Sequence, residues 1–262
     1  EKHLDFFLTV QREAPYSEQL TIPEESGAEV LQHVISLNKV TLCDDSFGTI
    51  ISLDDSASLE MRYYRNNILH TYALSSLVCR LLTHNSKISH EQIIIQTTNL
   101  LATLKADLFL WQSAEQITKQ VESLLKALEN SGIIKQTKAN FWSLIDNTPQ
   151  LNQVHLLAEC IDESLQRLAI ITSLATRLTP LTRRELEEKV VAIAKRLAVL
   201  NNITAPEFID KKAQAMLINA LRELGYMSLN DEGLLTVCPA MEELKSSVTN
   251  LVSIEVLQSI AR

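Results

Sequence analysis

Apolar residues recur three and four positions apart along most of the chain, the spacing that lays one apolar stripe on an α-helix. Ile117, Val121, Leu124, Leu125 and Leu128 make one stripe, and Leu186, Val190, Ile193, Ala194 and Leu197 a second. Leu74, Leu77, Val78, Leu81 and Leu82 make a third. Polar residues ahead of such stripes mark helix starts. In a capping box, a Ser or Thr caps the helix and a Glu or Gln three residues on reaches back to the backbone. Ser26 with Glu29, Ser89 with Gln92, Ser113 with Gln116, Thr182 with Glu185 and Thr204 with Glu207 all fit. One long helix is predicted over Leu59 to Leu82 and another over Leu151 to Leu178.

The ends of three helices repeat a pattern. Val30 to Leu53, Val121 to Ile145 and Leu217 to Val237 each run from an amphipathic helix through a short apolar run, a polar turn and a returning apolar run. Gly132 and Gly225 sit where a helix end favours a left-handed residue. The turns "DDSFG", "KQTKAN" and "NDEG" are hairpin material. A further capped helix precedes the second and third units, at Ser89 and Thr182. The predicted fold is therefore mainly α: a multi-helix domain with short β-hairpins and winged-helix-like helix-helix-hairpin units. It divides into a helix-plus-hairpin unit over 1–58, a helix with the first such unit over 59–148, and a long helix with the second over 149–262, together forming one compact assembly.

Composition supports a well-filled core, at 46% hydrophobic with only 5 Gly and 6 Pro in 262 residues. The net charge is −8. Thr182 to Glu223 holds eight Lys or Arg against six Asp or Glu, mostly alternating in sign. No one-sided basic face for a phosphate backbone results, so no nucleic-acid partner is expected. Cys43, Cys79, Cys160 and Cys238 form no Cys-x-x-Cys pair and read as four buried thiols in a reducing compartment. The longest charge-free stretches, Asn66 to Cys79 and Gln92 to Leu104, are too short to span a bilayer. The chain starts on Glu1 with no basic-then-apolar leader, which suggests a piece of a longer or processed protein.

Polar chemistry concentrates in "MRYYRNNILH", Met61 to His70. Helical spacing puts Arg62, Asn66 and His70 on one face, with Tyr63, Tyr64, Arg65 and Asn67 beside them. The paired asparagines cost roughly 0.5 kcal/mol each relative to Ala in a helix, so a tertiary contact must offset them. Three readings stand: a polar seam inside the fold, a docking surface for a partner or missing domain, or a ligand site with His70 as acid or base. No Gly-x-Ser-x-Gly, P-loop, Gly-x-Gly-x-x-Gly or His-Glu-x-x-His motif supplies a reaction partner. No catalytic residue, metal ligand or cofactor is predicted.

"YYRNNILH" followed by an apolar helix resembles the C-terminal region of bacterial membrane-bound glycerol-3-phosphate acyltransferases. "KISHEQI", "LKADLFLW", "QLNQVHLLAECIDESLQRLAI" and the run through "TAPEFIDK" to "LRELGYMS" extend the resemblance from about Leu20 to Gly233. It implies a parent enzyme that moves an acyl group from acyl-carrier protein or acyl-coenzyme A to the first hydroxyl of glycerol 3-phosphate. The family's catalytic motif is His-x-x-x-x-Asp. Five residues after His3, His33, His70, His84, His90 and His155 stand Leu8, Asn38, Ser75, Ser89, Ile95 and Cys160. The resemblance therefore implies an accessory domain whose partner is the enzyme's own upstream catalytic domain, joined through 1–58. Acyl-carrier protein and the cytoplasmic face of the bacterial inner membrane are further implied contacts. Leu165 to Leu178, apolar between Arg167 and Arg177, reads first as a core helix of the bundle and second as a helix lying in a lipid interface. The alternative is a winged-helix-type protein-interaction or regulatory module with no role in lipid synthesis.

Overall fold

The computed structural model of the chain describes every residue except Phe47, Lys138, Asn202 and Arg262. Phe47 and Lys138 belong to two of the turns read from the sequence, and that part of each turn lies outside the described residues.

The chain opens with α1 (Lys2–Glu13) and α2 (Gly27–Ser36), followed by the hairpin β1 (Thr41–Asp45) and β2 (Gly48–Ser52). The long helix α3 (Asp55–His84) comes next. The first helix-helix-hairpin unit is β3 (Ile88–Ser89), α4 (His90–Leu104), α5 (Ala114–Asn130), β4 (Ile134–Gln136) and β5 (Phe141–Leu144). Its three strands form one antiparallel sheet in the order β3-β5-β4. Then come α6 (Leu151–Ala158), α7 (Asp162–Leu178), α8 (Arg183–Leu200), the one-turn α9 (Pro206–Ile209) and α10 (Lys211–Glu223). The hairpin β6 (Met227–Leu229) and β7 (Leu235–Val237), with α11 (Ala240–Thr249) and α12 (Ile254–Ala261), completes the chain.

Four of the five expected capping boxes are present, at Ser26, Ser89, Ser113 and Thr182. The fifth is not. Ala205 is the N-cap of α9, and Asp210 caps α10 by accepting from the backbone N–H groups of Lys212 and Ala213. Thr204 and Glu207 are used elsewhere, as described below. Gly132 and Gly225 take φ of +68° and +80°, the left-handed helix ends read from the sequence.

One apolar core runs from Val10 in α1 to Ile260 in α12. The C-terminal half of α3 and the stretch of α7 from Ser164 to Ala175 supply much of it. The single helix expected over Leu151 to Leu178 is in fact α6 and α7, broken at 159–161. The break is held by α3. Ser76 Oγ donates to the Ala158 carbonyl at 3.2 Å and accepts from the Ile161 N–H at 3.3 Å. Arg80 donates to Asp162 at 2.5 Å and to the Leu251 carbonyl at 2.7 Å.

Of the two readings of Leu165 to Leu178 the core helix holds, and the reading of the cysteines is corrected. Leu165, Leu168, Ile170, Ile171 and Leu174 of α7 are all buried in protein, which stabilises the fold by about 1.5–3 kcal/mol each. Their flanking arginines are also engaged, Arg167 with Asp107 and Arg177 with the Ala261 carbonyl. This helix therefore faces the core and not lipid. Among the described residues, no helix is long and apolar enough to cross a membrane. The cysteines are all free, but only Cys79 is buried. Cys160 and Cys238 are half-buried and Cys43 is exposed on β1.

Candidate functional site

The α3 helix changes character along its length. Its first buried residue is Thr71, and from there to Leu82 every residue but the half-buried Tyr72 is buried. The polar stretch Met61 to His70 occupies the part ahead of the core, where α3 passes α7 and α9.

There the motif splits into two faces. Arg62 donates through Nη2 to Thr204 Oγ1, and Asn66 donates through Nδ2 to Glu207 Oε1 at 2.8 Å. Arg65 lies between two carboxylates, 3.3 Å from Glu163 on α7 and 3.6 Å from Glu207 on α9. It also donates to Asn66 Oδ1 at 3.0 Å, which orients the amide toward Glu207. Tyr63, Tyr64, Asn67 and Ile68 face outward and are exposed. The segment that reads as a capping box from Thr204 to Glu207 instead presents both side chains to α3.

His70 leaves the seam and joins an aromatic cluster. Its ring meets Tyr16 edge-on at 5.1 Å and Trp111 at 5.6 Å, while Tyr16 and Trp111 meet edge-on at 4.7 Å. Burial lowers the His70 pKa from its ordinary 6.5, against the opposing effect of a backbone hydrogen bond with Asn67. The Tyr16 phenol is likewise raised by burial. A neutral imidazole packed on two rings serves as a spacer between α3, the segment after α1 that carries Tyr16, and the 105–113 loop. That geometry does not make it the base of a catalytic dyad.

Beside the seam lies a cleft of about 240 Å³, lined in part by Arg65, Glu163, Glu207, Phe109 and Met216. At its floor Arg167 meets Asp107 at 2.6 Å, with side chains only 5% and 7% exposed. Ser164 Oγ adds a bond to the same Asp107 oxygen at 2.8 Å. Arg167 Nε and Nη1 are buried with no hydrogen-bond partner. Sequence reading missed this pair because Asp107 and Arg167 are 60 residues apart and stand in two separate stretches, and nothing in the spacing of either one points to the other. The fixed charges of the cleft nearly cancel, two arginines against three carboxylates, so it is not built as an anion site.

Residues 1–230 match the family of the glycerol-3-phosphate acyltransferase C-terminal region. The chain is 62% identical over 262 residues to the glycerol-3-phosphate acyltransferase of Colwellia psychrerythraea (strain 34H), covering all of this chain and 32% of that protein. It is 35% identical over 232 residues to the glycerol-3-phosphate acyltransferase of Shewanella baltica (strain OS155), covering 88% of this chain and 28% of the relative. The protein of the same name from Shewanella putrefaciens (strain CN-32) is 36% identical over 232 residues. The chain thus spans about a third of the length of these relatives.

Proposed function

Because the chain belongs to the family of glycerol-3-phosphate acyltransferase C-terminal regions, we propose that it is the accessory domain of such an enzyme. The parent reaction would pass an acyl group from acyl-carrier protein or acyl-coenzyme A to the first hydroxyl of glycerol 3-phosphate, the first step of phospholipid synthesis. In this reading the chain supports the catalytic domain and helps seat the enzyme on the cytoplasmic face of the inner membrane, without itself acting on substrate.

The observation that carries the accessory role is the wiring of "MRYYRNN". Its arginines and one asparagine are engaged by Thr204, Glu163 and Glu207, and His70 packs on aromatic rings. A general base needs a proton to take within hydrogen-bond reach and an orienting partner. No histidine here is followed at the fifth position by Asp. The test compares three proteins in one assay of acyl transfer from acyl-coenzyme A to glycerol 3-phosphate. The full-length polypeptide should turn over, and the 262-residue chain alone should not. The full-length polypeptide lacking this region should lose most of its activity. Turnover by the isolated chain would overturn the reading, as would undiminished activity without it.

A further inference from the structure

The hairpin β1–β2 is exposed at all ten of its residues. A two-stranded hairpin standing free in water is marginal at best, and lasting stability needs a third strand or a packed face. Its register makes the exposure more telling. Leu42 pairs with Ile51 and Cys43 with Ile50. Directly opposed residues share a face and neighbours alternate, so each face of the ribbon carries an apolar pair. A ribbon that faced solvent on one side would alternate apolar with polar.

The hairpin is tied to the exposed half of α3. Lys39, at the hairpin's base, meets Glu60 at 2.7 Å, and its ammonium also feels the Tyr64 hydroxyl. Tyr64 is exposed there, with Tyr63 against it at 5.9 Å and Ile68 one turn on. Leu42 and Ile51 on one face of the ribbon, Ile50 on the other, and Tyr63, Tyr64 and Ile68 on the helix the ribbon is tied to are all left unburied. Single exposed apolar residues are ordinary, but a group of this size on a soluble surface marks an interface.

We infer that this hairpin and the Tyr63–Tyr64–Ile68 face of α3 dock into the part of the acyltransferase polypeptide that precedes the C-terminal region, with the hairpin covered on both faces. The inference rests on the accessory-domain reading. Charge selects the occupant. Residues 39–60 hold five carboxylates and one lysine. Anionic lipid attracts basic segments and repels acidic ones. A second copy of this chain meeting the patch through a twofold axis would set acidic against acidic. What fits is an apolar cleft with a basic rim. The relatives are about three times as long as this chain and their matched part is the C-terminal region, so a large tethered body is at hand.

Cys43 supplies a native probe, because it lies on the hairpin and is exposed. Cys79 and Cys160, pushed up by burial to about 12 and about 11, serve as slow internal controls. Maleimide labelling, followed by mass spectrometry of the Cys43 peptide, is run on the 262-residue chain and on the full-length polypeptide. Cys43 should react at least about tenfold more slowly in the full-length protein, the factor that about 1.4 kcal/mol of closure produces. Ile50→Asp with Ile51→Asp in the full-length protein should restore the fast rate. Equal rates in the two wild-type proteins would overturn the inference. So would protection of the isolated chain by phosphatidylglycerol vesicles or by raising its own concentration. Acyl transfer measured on the same samples separates the two readings. A reactive Cys43 in an enzyme that still requires this region defeats the docking surface alone. A protected Cys43 in an enzyme indifferent to the region defeats the accessory role alone.

Discussion

Arg65 and Arg167 both reach carboxylates on other segments, yet they weigh very differently on stability. Arg65 is 43% exposed and shares two half-exposed glutamates, so its pairs are screened and worth about 0–1 kcal/mol. Arg167 and Asp107 are almost fully buried, and removing one partner strands a charge at a cost of about 3–5 kcal/mol. Urea unfolding of the isolated chain should therefore show Arg65→Ala near wild type and Asp107→Asn or Arg167→Met strongly destabilised. The double change Asp107→Leu with Arg167→Met should recover most of the loss, and a double mutant as weak as the worse single would contradict this account. His70 gives a pH signature. Its folded pKa lies below the 6.5 of the unfolded chain, so the unfolded state takes up the proton first as pH falls. Its stabilisation is intact above pH 6.5, declines below it, and stops declining once the folded state also protonates. His84, lowered by burial and by Arg80, acts in the same direction. His70→Gln should flatten part of the loss of stability between about pH 7 and about pH 5, and an unchanged slope would rule out this role.

At the scale of elements, the capping boxes and the helix-ending glycines were legible because their causes are local. Each needs a side chain to reach the backbone three residues away, or a backbone angle that one residue sets. Thr204 and Glu207 show the limit of that logic. They have the right spacing, but Arg62 and Asn66 on α3 compete for the same oxygens. The break between α6 and α7 was not legible either, since no proline or glycine marks 159–161. Ser76 satisfies the two backbone groups that the break frees. Ser76→Ala should leave a buried N–H and a buried carbonyl unpaired and cost about 1–3 kcal/mol, measurable by thermal or urea unfolding. A loss below a few tenths of a kcal/mol would mean that the break is held by packing alone.

For the whole molecule, stability should be graded from one end to the other. The α7 helix lies in the core and the β1–β2 hairpin contributes nothing to it. Hydrogen exchange of the isolated chain should find the hairpin and residues 55–70 opening most easily. The amides of α7 and of 71–82 in α3 should exchange last, near the global unfolding limit. Uniform protection across both ends would contradict this gradient. The hairpin and the Tyr63–Tyr64–Ile68 face of α3 leave their apolar side chains outside this core.

The sequence alone determined the helical class, the positions of most helix starts, the hairpins and the family of the chain. These follow from periodic burial and from contacts within a few residues, which a linear reading can trace. It also singled out Met61 to His70 as unusual, but not what each residue there meets. Folding alone shows that Arg62, Arg65 and Asn66 are engaged by Thr204, Glu163 and Glu207, that His70 packs on Tyr16 and Trp111, and that Tyr63, Tyr64 and Ile68 are left outside. It likewise buried α7 and exposed Cys43. The physical reason is that hydrogen bonds and ion pairs between segments 60 to 142 residues apart depend on how helices stack, and helical spacing fixes only which side chains share a face.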